Sequence, residues 1–512
     1  IGSVVQASTF TTYDARGQKV FSAYPSSTAL TFSLNPTVDG STTTYDALGR
    51  VTQVAQNSEL GTLTSSTLYL SGARQQVTDP RHKVTTTSYQ VFDTPSYDAP
   101  ILVQAPAGIT QAIDRDVYGN PRSITQSGLY GTETNSVVKT LIYDSYHRLC
   151  RTIEPESGST VMDYDSANNL AWSAEGLAIT GTDCGQEQVA TAARTTRTYD
   201  AMNRVATILP PVGTNSQSTQ YHYTALGQPD HVVSGITTWD GAYNYRGMLT
   251  GESLQVTGQN AWGIGYAHDA YGSLSLIHYP DGENVSYAPD ALGRPTQVGG
   301  YASGIGYFPN GQVSEFIYGN GTAYAAEQNG RQLLSNFSYG TGTTAQLSED
   351  MSYDANGNIT DVTDLAGGPR TKAFSYDDLN RLSTATATGL WGSEAYTYDA
   401  LNNLRSRTSG GQTATYHYDT TNKLGSISNG ASTVDSFQYD NRGNVTGKNA
   451  AVLVFDQKNQ LSQIVGYDSY AYDAAGRRVM KTPTGGTSTY YFYNQAGQLL
   501  YQLDAATLKS TN

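Results

Sequence analysis

Cysteine is nearly absent: the 512-residue chain holds two, Cys150 and Cys184. Neither Cys-x-x-Cys nor His-Glu-x-x-His occurs, which removes the common zinc signatures. Gly-x-Ser-x-Gly is missing too, and with it a nucleophile elbow. No apolar stretch reaches the ~18 residues that a transmembrane helix needs. Phenylalanine (11) and methionine (5) are scarce, so a thick apolar core is not expected. Lys and Arg never cluster, and the net charge is −14 with a pI near 4.9. That balance argues against binding a nucleic-acid backbone or an anionic membrane, and reads as an acidic, solvated surface.

What is present is tyrosine (39) and glycine (52), with a mean hydropathy of −0.43. Tyr, Thr and Val favour strands, while Gly and Asn punctuate turns. The apolar residues alternate with polar ones rather than forming blocks. A chain this long is unusual for one core but ordinary for a repeat array.

The array is plainest between Phe374 and Val445. There Tyr376-Asp377, Tyr398-Asp399, Tyr418-Asp419 and Tyr439-Asp440 fall 22, 20 and 21 residues apart. A second aromatic (Phe374, Tyr396, Tyr416, Phe437) stands two places before each Tyr, and so on the same face of a strand. Further units are Tyr13-Asp14, Tyr45-Asp46, Tyr143-Asp144, Tyr164-Asp165, Tyr199-Asp200, Tyr353-Asp354 and Tyr472-Asp473. Ten of these eleven Tyr-Asp units carry Gly or Asn at the fifth place, counting Tyr as the first. Asp at the start of a four-residue turn and Gly or Asn at its end predict a type I turn with a left-handed final residue and a bulge. Each unit is therefore expected to be a hairpin.

Along the chain, repeats over 1–345 are looser and those over 346–512 are regular. Asn35-Pro36 and Pro25 mark irregular loops, and Asp79-Pro80 and Asp93-Thr-Pro95 read as turns of degenerate repeats. The extra residues Gly176 to Val189 read as a loop carrying Cys184. Tyr221-His-Tyr223 and Tyr243-Asn-Tyr245 keep an aromatic pair but lose Asp. Near Asp269 and Asp290 the turns look about two residues longer. No inter-domain linker is apparent, so 1–512 reads as one continuous domain. Both ends look cut, as in a segment of a longer protein.

The units resemble the YD repeats of the RHS family, which includes bacterial Rhs polymorphic toxins, toxin-complex shell proteins and teneurins. Tyr45-Asp46-Ala-Leu-Gly49-Arg50-Val51 and Tyr353-Asp354-Ala-Asn-Gly357-Asn358-Ile359 carry the resemblance most closely. It implies an all-β array of hairpins coiling into a hollow shell, secreted or at the cell surface. Its partners would be the rest of its own chain, an enclosed toxin or other cargo, and a secretion machine. It implies no cofactor and no enzyme activity in this segment. The family's self-cleaving site has an Asp-Pro-x-Gly context, whereas the one Asp-Pro here, Asp79-Pro80, continues Arg81-His82.

Other chemistry is weaker than the repeat. Asp residues recur because turns need them, so a carboxylate pair for glycoside hydrolysis is not singled out. His268 and Asp269 with Glu283 are the one candidate catalytic grouping. In an exported chain Cys150 and Cys184 pair; in a cytosolic one they are two buried thiols. A second functional reading, which the resemblance to teneurins allows, is an extracellular adhesion surface that binds neighbouring cells or carbohydrate, the latter through exposed Tyr and Trp (Trp172, Trp239, Trp262, Trp391).

The hollow form also has a physical argument. One hairpin per ~21 residues gives almost fifty strands, or a sheet roughly 230 Å wide at ~4.8 Å per strand. Open sheets seldom exceed ~10 strands without curling, and wide coils leave a lumen.

Overall fold

The computed structural model describes residues 7–34, 37–94, 96–213, 217–504 and 509–511. Asn35-Pro36, Pro95 and the outermost residues at both ends lie outside the described residues. The chain is almost wholly β, with 55% of residues in strands and 2% in helix. The helical residues are three single 3-10 turns: Pro106–Gly108, Gln186–Gln188 and Thr191–Ala193.

Among the described residues 45 strands form two long antiparallel sheets, of 23 and 22 strands. The first ends with strand Asn284–Ser286 and the second starts with Gln297–Val298. Pro289 and Pro295 fall in this break. Proline has no N–H to give a ladder, so pairing stops there.

The predicted turn recurs with little variation. In the Tyr45 unit the Gly49 N–H donates to the Asp46 carbonyl at 3.0 Å and the Asp46 N–H to that of Arg50 at 2.9 Å. The fifth residue is left-handed in all eleven Tyr-Asp units, from Asn203 (φ 59°) to Gly357 (φ 88°). His147 takes the same conformation at φ 62°, so the one unit without Gly or Asn keeps the turn. The ladder slips by one residue at the Tyr, as between Thr44 and Tyr45 or Thr397 and Tyr398, which is the bulge.

Three sequence expectations change. The turns at Asp269 and Asp290 are not longer: Gly272 and Gly293 donate to the Asp269 and Asp290 carbonyls in the standard four-residue form. His268 and Pro289 stand where Tyr would, and the nearby Tyr266 and Tyr287 had misplaced the count. Near Tyr243, Asn244 takes the Asp place and Tyr245 is a turn residue, 92% exposed.

The chain divides into two compact units, each built from two distant stretches: Ile1–Val137 with Tyr287–Thr415, and Val138–Ser286 with Tyr416–Asn512. In the first unit Arg81 reaches from the Asp79 turn into the Tyr376 unit. Its Nη1 donates to the Asp377 carbonyl (3.0 Å) and Asn380 Oδ1 (2.7 Å), and its Nε lies 3.4 Å from Asp354 Oδ2. Arg331 pairs with Glu59, and Gln126 Nε2 donates to the Ala400 carbonyl at 2.8 Å. In the second unit Asn422 and Asn459 donate to Glu156 (2.7 Å) and Glu175 (2.8 Å). Trp262 packs on Tyr490 with ring centroids 5.2 Å apart.

Little of this is a deep core. The accessible surface is 27213 Å² for 54.9 kDa, against ~18,000 Å² by the scaling for compact monomers. The excess belongs to sheets whose strands are mostly half-buried on alternate residues.

Candidate functional site: the turn ladder and the pinned insertion

Each turn is built around its aspartate. Asp46 Oδ1 accepts the backbone N–H groups of Leu48 (2.9 Å) and Arg50 (3.0 Å), and Oδ2 takes Arg50 Nε at 2.7 Å. Asp144, Asp200, Asp377 and Asp473 do the same with Arg148, Arg204, Arg381 and Arg477. In Asp165, Asp354, Asp399 and Asp440 an Asn amide (Asn169, Asn358, Asn403, Asn444) replaces the guanidinium. Asp14 and Asp419 bind the two backbone N–H groups, and Asp419 also accepts the Thr421 hydroxyl.

The sixth-place side chain then reaches the next hairpin. Arg381 Nη1 donates to the Asp399 carbonyl at 2.9 Å and Asn402 Oδ1 at 3.0 Å, and its guanidinium lies 4.8 Å over the Tyr398 ring. Arg50 covers Tyr69 (3.9 Å), Arg148 covers Tyr164 (4.7 Å) and Arg204 covers Tyr223 (4.5 Å).

The Tyr hydroxyl closes the link from the other side. Strand pairing between hairpins stops two residues short: Gln53 pairs with Ser66, but Val51 has no ladder partner on that side. The Val51 carbonyl is instead taken by Tyr69 Oη at 3.1 Å. The same bond joins Tyr45 to Lys19, Tyr164 to Leu149, Tyr199 to Leu170, Tyr376 to Ile359, Tyr439 to Leu424 and Tyr472 to Leu461, at 2.7–3.0 Å. Tyr353 donates to Leu334, while Tyr13 is 58% exposed. These eight hydroxyls, of Tyr45, Tyr69, Tyr164, Tyr199, Tyr353, Tyr376, Tyr439 and Tyr472, thus each satisfy a carbonyl that the bulge leaves behind.

Two substitutions separate the parts of this link. Tyr376→Phe keeps the ring and loses the bond, and is expected to cost about 1 kcal/mol. Tyr398→Ala removes a half-buried ring and should cost about 3 kcal/mol. Urea midpoints check both; equal midpoints for Tyr398→Ala and wild type would mean that the ring adds nothing to packing.

The aspartates also set an acid limit. The Arg50 side chain and backbone N–H hold the Asp46 carboxyl below its ordinary value, and Arg204 does so for Asp200. Burial pushes Asp144 and Asp377 up, but the N–H and guanidinium groups of Arg148 and Arg381 outweigh it and hold both carboxyls low. A carboxyl more acidic when folded stabilises the fold above its unfolded pKa, and the contribution fades as pH falls through the folded one. Unfolding midpoints should therefore be flat from about pH 7 to 5 and drop below about pH 4. A midpoint unchanged down to pH 3 would contradict this. Glu252 runs the other way: burial pushes its carboxyl up, against hydrogen bonds from Tyr266 and Trp239.

The insertion after Leu177 is pinned to the sheet twice. A disulfide joins Cys150 to Cys184, with Cα atoms 5.4 Å apart. Beside it Arg151, 2% exposed, donates to the carbonyls of Ile179 (2.7 Å), Gly181 (3.2 Å) and Asp183 (3.3 Å). Val189 from the insertion completes a small core with Val161, Trp172 and Ala174.

The other candidates fall apart in space or into turns. Asp269 is spent on the Tyr271 and Ser273 N–H groups, both at 2.9 Å. His268 lines a cavity of about 210 Å3 with Glu252 and Tyr266, and Glu283 is not in its lining. Trp172 is buried and donates to Asp163, and Trp239 donates to the buried Glu252. With Trp262 on Tyr490, Trp391 is left as the exposed one of the four, at 40%. Among the described residues no group of three or more His, Cys, Asp or Glu is placed to hold a metal ion. No helix among them is long and apolar enough to cross a membrane.

The ladder's sixth-place Arg or Asn was visible in Arg50 and Asn358, but its role was not, because it depends on what the next hairpin presents. Arg81, Arg331 and Lys458 gave no sequence signal, since their partners lie more than 200 residues away.

Residues 300–500 match the teneurin YD-shell family. No curated protein matches the chain. The crystal structure of TcdB2-TccC3 without its hypervariable C-terminal region is similar at 16% identity and a TM-score of 0.73, covering 97% of this chain and 29% of that one. A crystal structure of TcdB2-TccC3 gives 16% and 0.69, with 98% and 29% covered. The Photorhabdus luminescens Tc holotoxin pore gives 16% and 0.59, with 96% and 27% covered. These likenesses are of fold. The chain spans under a third of the length of the structures it matches.

Proposed function

We propose that this chain belongs to the RHS/YD-repeat family and serves as wall: its sheets form part of a hollow shell that encloses a toxin or other cargo polypeptide in a secreted protein. The observation that supports this most is the direction of the bonding. Sixth-place arginines and tyrosine hydroxyls tie one hairpin to the next, along the sheet and not into a core, and the turn aspartates hold those arginines in place. A sheet stabilised in this way needs no filled interior. Its large accessible surface agrees.

In this reading the chain is not an enzyme; it takes neither cofactor nor nucleic acid, and its partners are the rest of its own chain, the cargo and a secretion machine. The likeness to TcdB2-TccC3, one structure of which was solved without its hypervariable C-terminal region, is in keeping with it. An adhesion surface reading carbohydrate has less support, because three of the four tryptophans are committed to protein partners.

Small-angle scattering of the 512-residue chain is expected to give a radius of gyration above the ~23–24 Å of a compact domain of that length. A value at or below it would remove the hollow wall. Enclosure itself is read by limited proteolysis of the natural full-length protein. Cargo should resist digestion until the wall unfolds, and cargo cut at the rate of a free peptide would refute encapsulation.

A further inference from the structure

One cavity in the second unit gathers positive charge in a chain whose net charge is −14. It measures about 200 Å3 and is lined by Arg197, Arg442 and Lys458 together with Ser173, Thr195 and Thr219. Glu175 is the single carboxylate in the lining, and its Oε2 already accepts Asn459 Nδ2 at 2.8 Å. Among the described residues none of the three cations has a carboxylate within ion-pair distance, whereas Arg50, Arg148, Arg204, Arg381 and Arg477 all do.

Each cation is held in place by neutral groups. Lys458 Nζ donates to the buried hydroxyls of Thr219 (2.9 Å) and Ser234 (3.3 Å). Arg197 Nη1 donates to Ser173 Oγ at 3.1 Å and to the Thr195 carbonyl at 3.3 Å. Arg442 donates through Nη2 to Gln457 Oε1 at 2.9 Å and through Nη1 to the Gln457 carbonyl at 3.3 Å. These bonds fix the side chains without neutralising them. A half-buried ammonium that shares a cavity lining with two arginines is costly unless an anion shares the space. Burial indeed pushes the Lys458 ammonium below its ordinary pKa, opposed by Asp456.

We propose that this cavity binds a small tetrahedral oxyanion, phosphate or the phosphate group of a small monoester. Two planar guanidinium forks and a point ammonium suit oxygens at several corners of a tetrahedron, and Ser and Thr hydroxyls add further donors. The volume admits such a group with room to spare.

Calorimetric titration of the phosphate-free 512-residue chain tests this, with inorganic phosphate, glycerol phosphate, sulfate and acetate at matched ionic strength. Phosphate is expected to bind saturably at one site. Arg197→Gln should weaken it about tenfold or more, the loss of one charge-assisted contact. Arg122→Gln, 62% exposed, should leave it unchanged. Arg197 hydrogen-bonds to Ser173 and Thr195 of its own stretch, whereas Lys458 bonds across to Thr219 and Ser234, so the Arg197 variant keeps the test valid where a Lys458 variant would unfold. Glycerol phosphate binding tighter than phosphate assigns a monoester; equal or weaker binding assigns the free ion. No saturable heat, acetate equal to phosphate, or wild-type affinity in Arg197→Gln would overturn the proposal.

Discussion

Replacing Cys150 and Cys184 together by serine is expected to lower the unfolding free energy by about 3–4 kcal/mol. The bond closes a loop of 34 residues, and the chain-entropy estimate for that length gives ~3.8 kcal/mol. The cost falls on one place. Cys150 is fully buried, and its neighbour Arg151 depends on carbonyls at Ile179, Gly181 and Asp183 that the bond keeps close. Once the loop lifts, that guanidinium loses its acceptors and Val189 leaves Val161 and Trp172. Denaturation midpoints of wild type with and without reductant, beside the double variant, give the measurement. Intact mass before and after alkylation shows whether the thiols were joined. Two free thiols in oxidised protein, or identical midpoints, would refute the pinning.

The second large effect is expected at Asp399. Its carboxylate is 2% exposed and accepts the N–H groups of Leu401 and Asn403, the Asn403 amide and, at 3.4 Å, Arg405. Asp399→Ala strands these donors in a buried turn, which should cost about 3 kcal/mol. The turn is buried because it docks: Ala400 is 1% exposed against Gly128, where a Cβ would stand 2.6 Å from that of Ala400. Asp419 performs the same local task but is exposed, so Asp419→Ala should cost only about 1 kcal/mol, since water replaces what the turn loses. Equal losses in the two variants would show that docking adds nothing to the motif.

That contrast marks what the sequence could carry. Everything inside one unit was legible: strand, turn, left-handed fifth residue and bulge follow from Tyr-Asp-x-x-Gly, because all the atoms involved lie within seven residues. Degenerate units were harder. His268 and Pro289 stand in the Tyr place, so the count slid to Tyr266 and Tyr287 and the turns looked too long. Bonds to the next hairpin were half legible, since Arg50 was conspicuous but the Val51 carbonyl it neighbours is a backbone atom with no sequence identity. Arg81 on Asn380 and Lys458 on Thr219 were beyond reach, because no local pattern encodes which distant turn arrives beside them.

The one-directional bonding bears on how such a chain yields when pulled. A hairpin held by its neighbours alone, through the strand ladder with one Tyr hydroxyl and one Arg beside it, peels without disturbing those further along. Each would release ~21 residues, or roughly 70 Å of extended chain. The Tyr376 unit is different, because Arg81 grips its turn from a stretch almost 300 residues earlier. Tension arriving there must break bonds in two sheets at once, so the clasped turns act as rip-stops in a fabric that otherwise tears thread by thread.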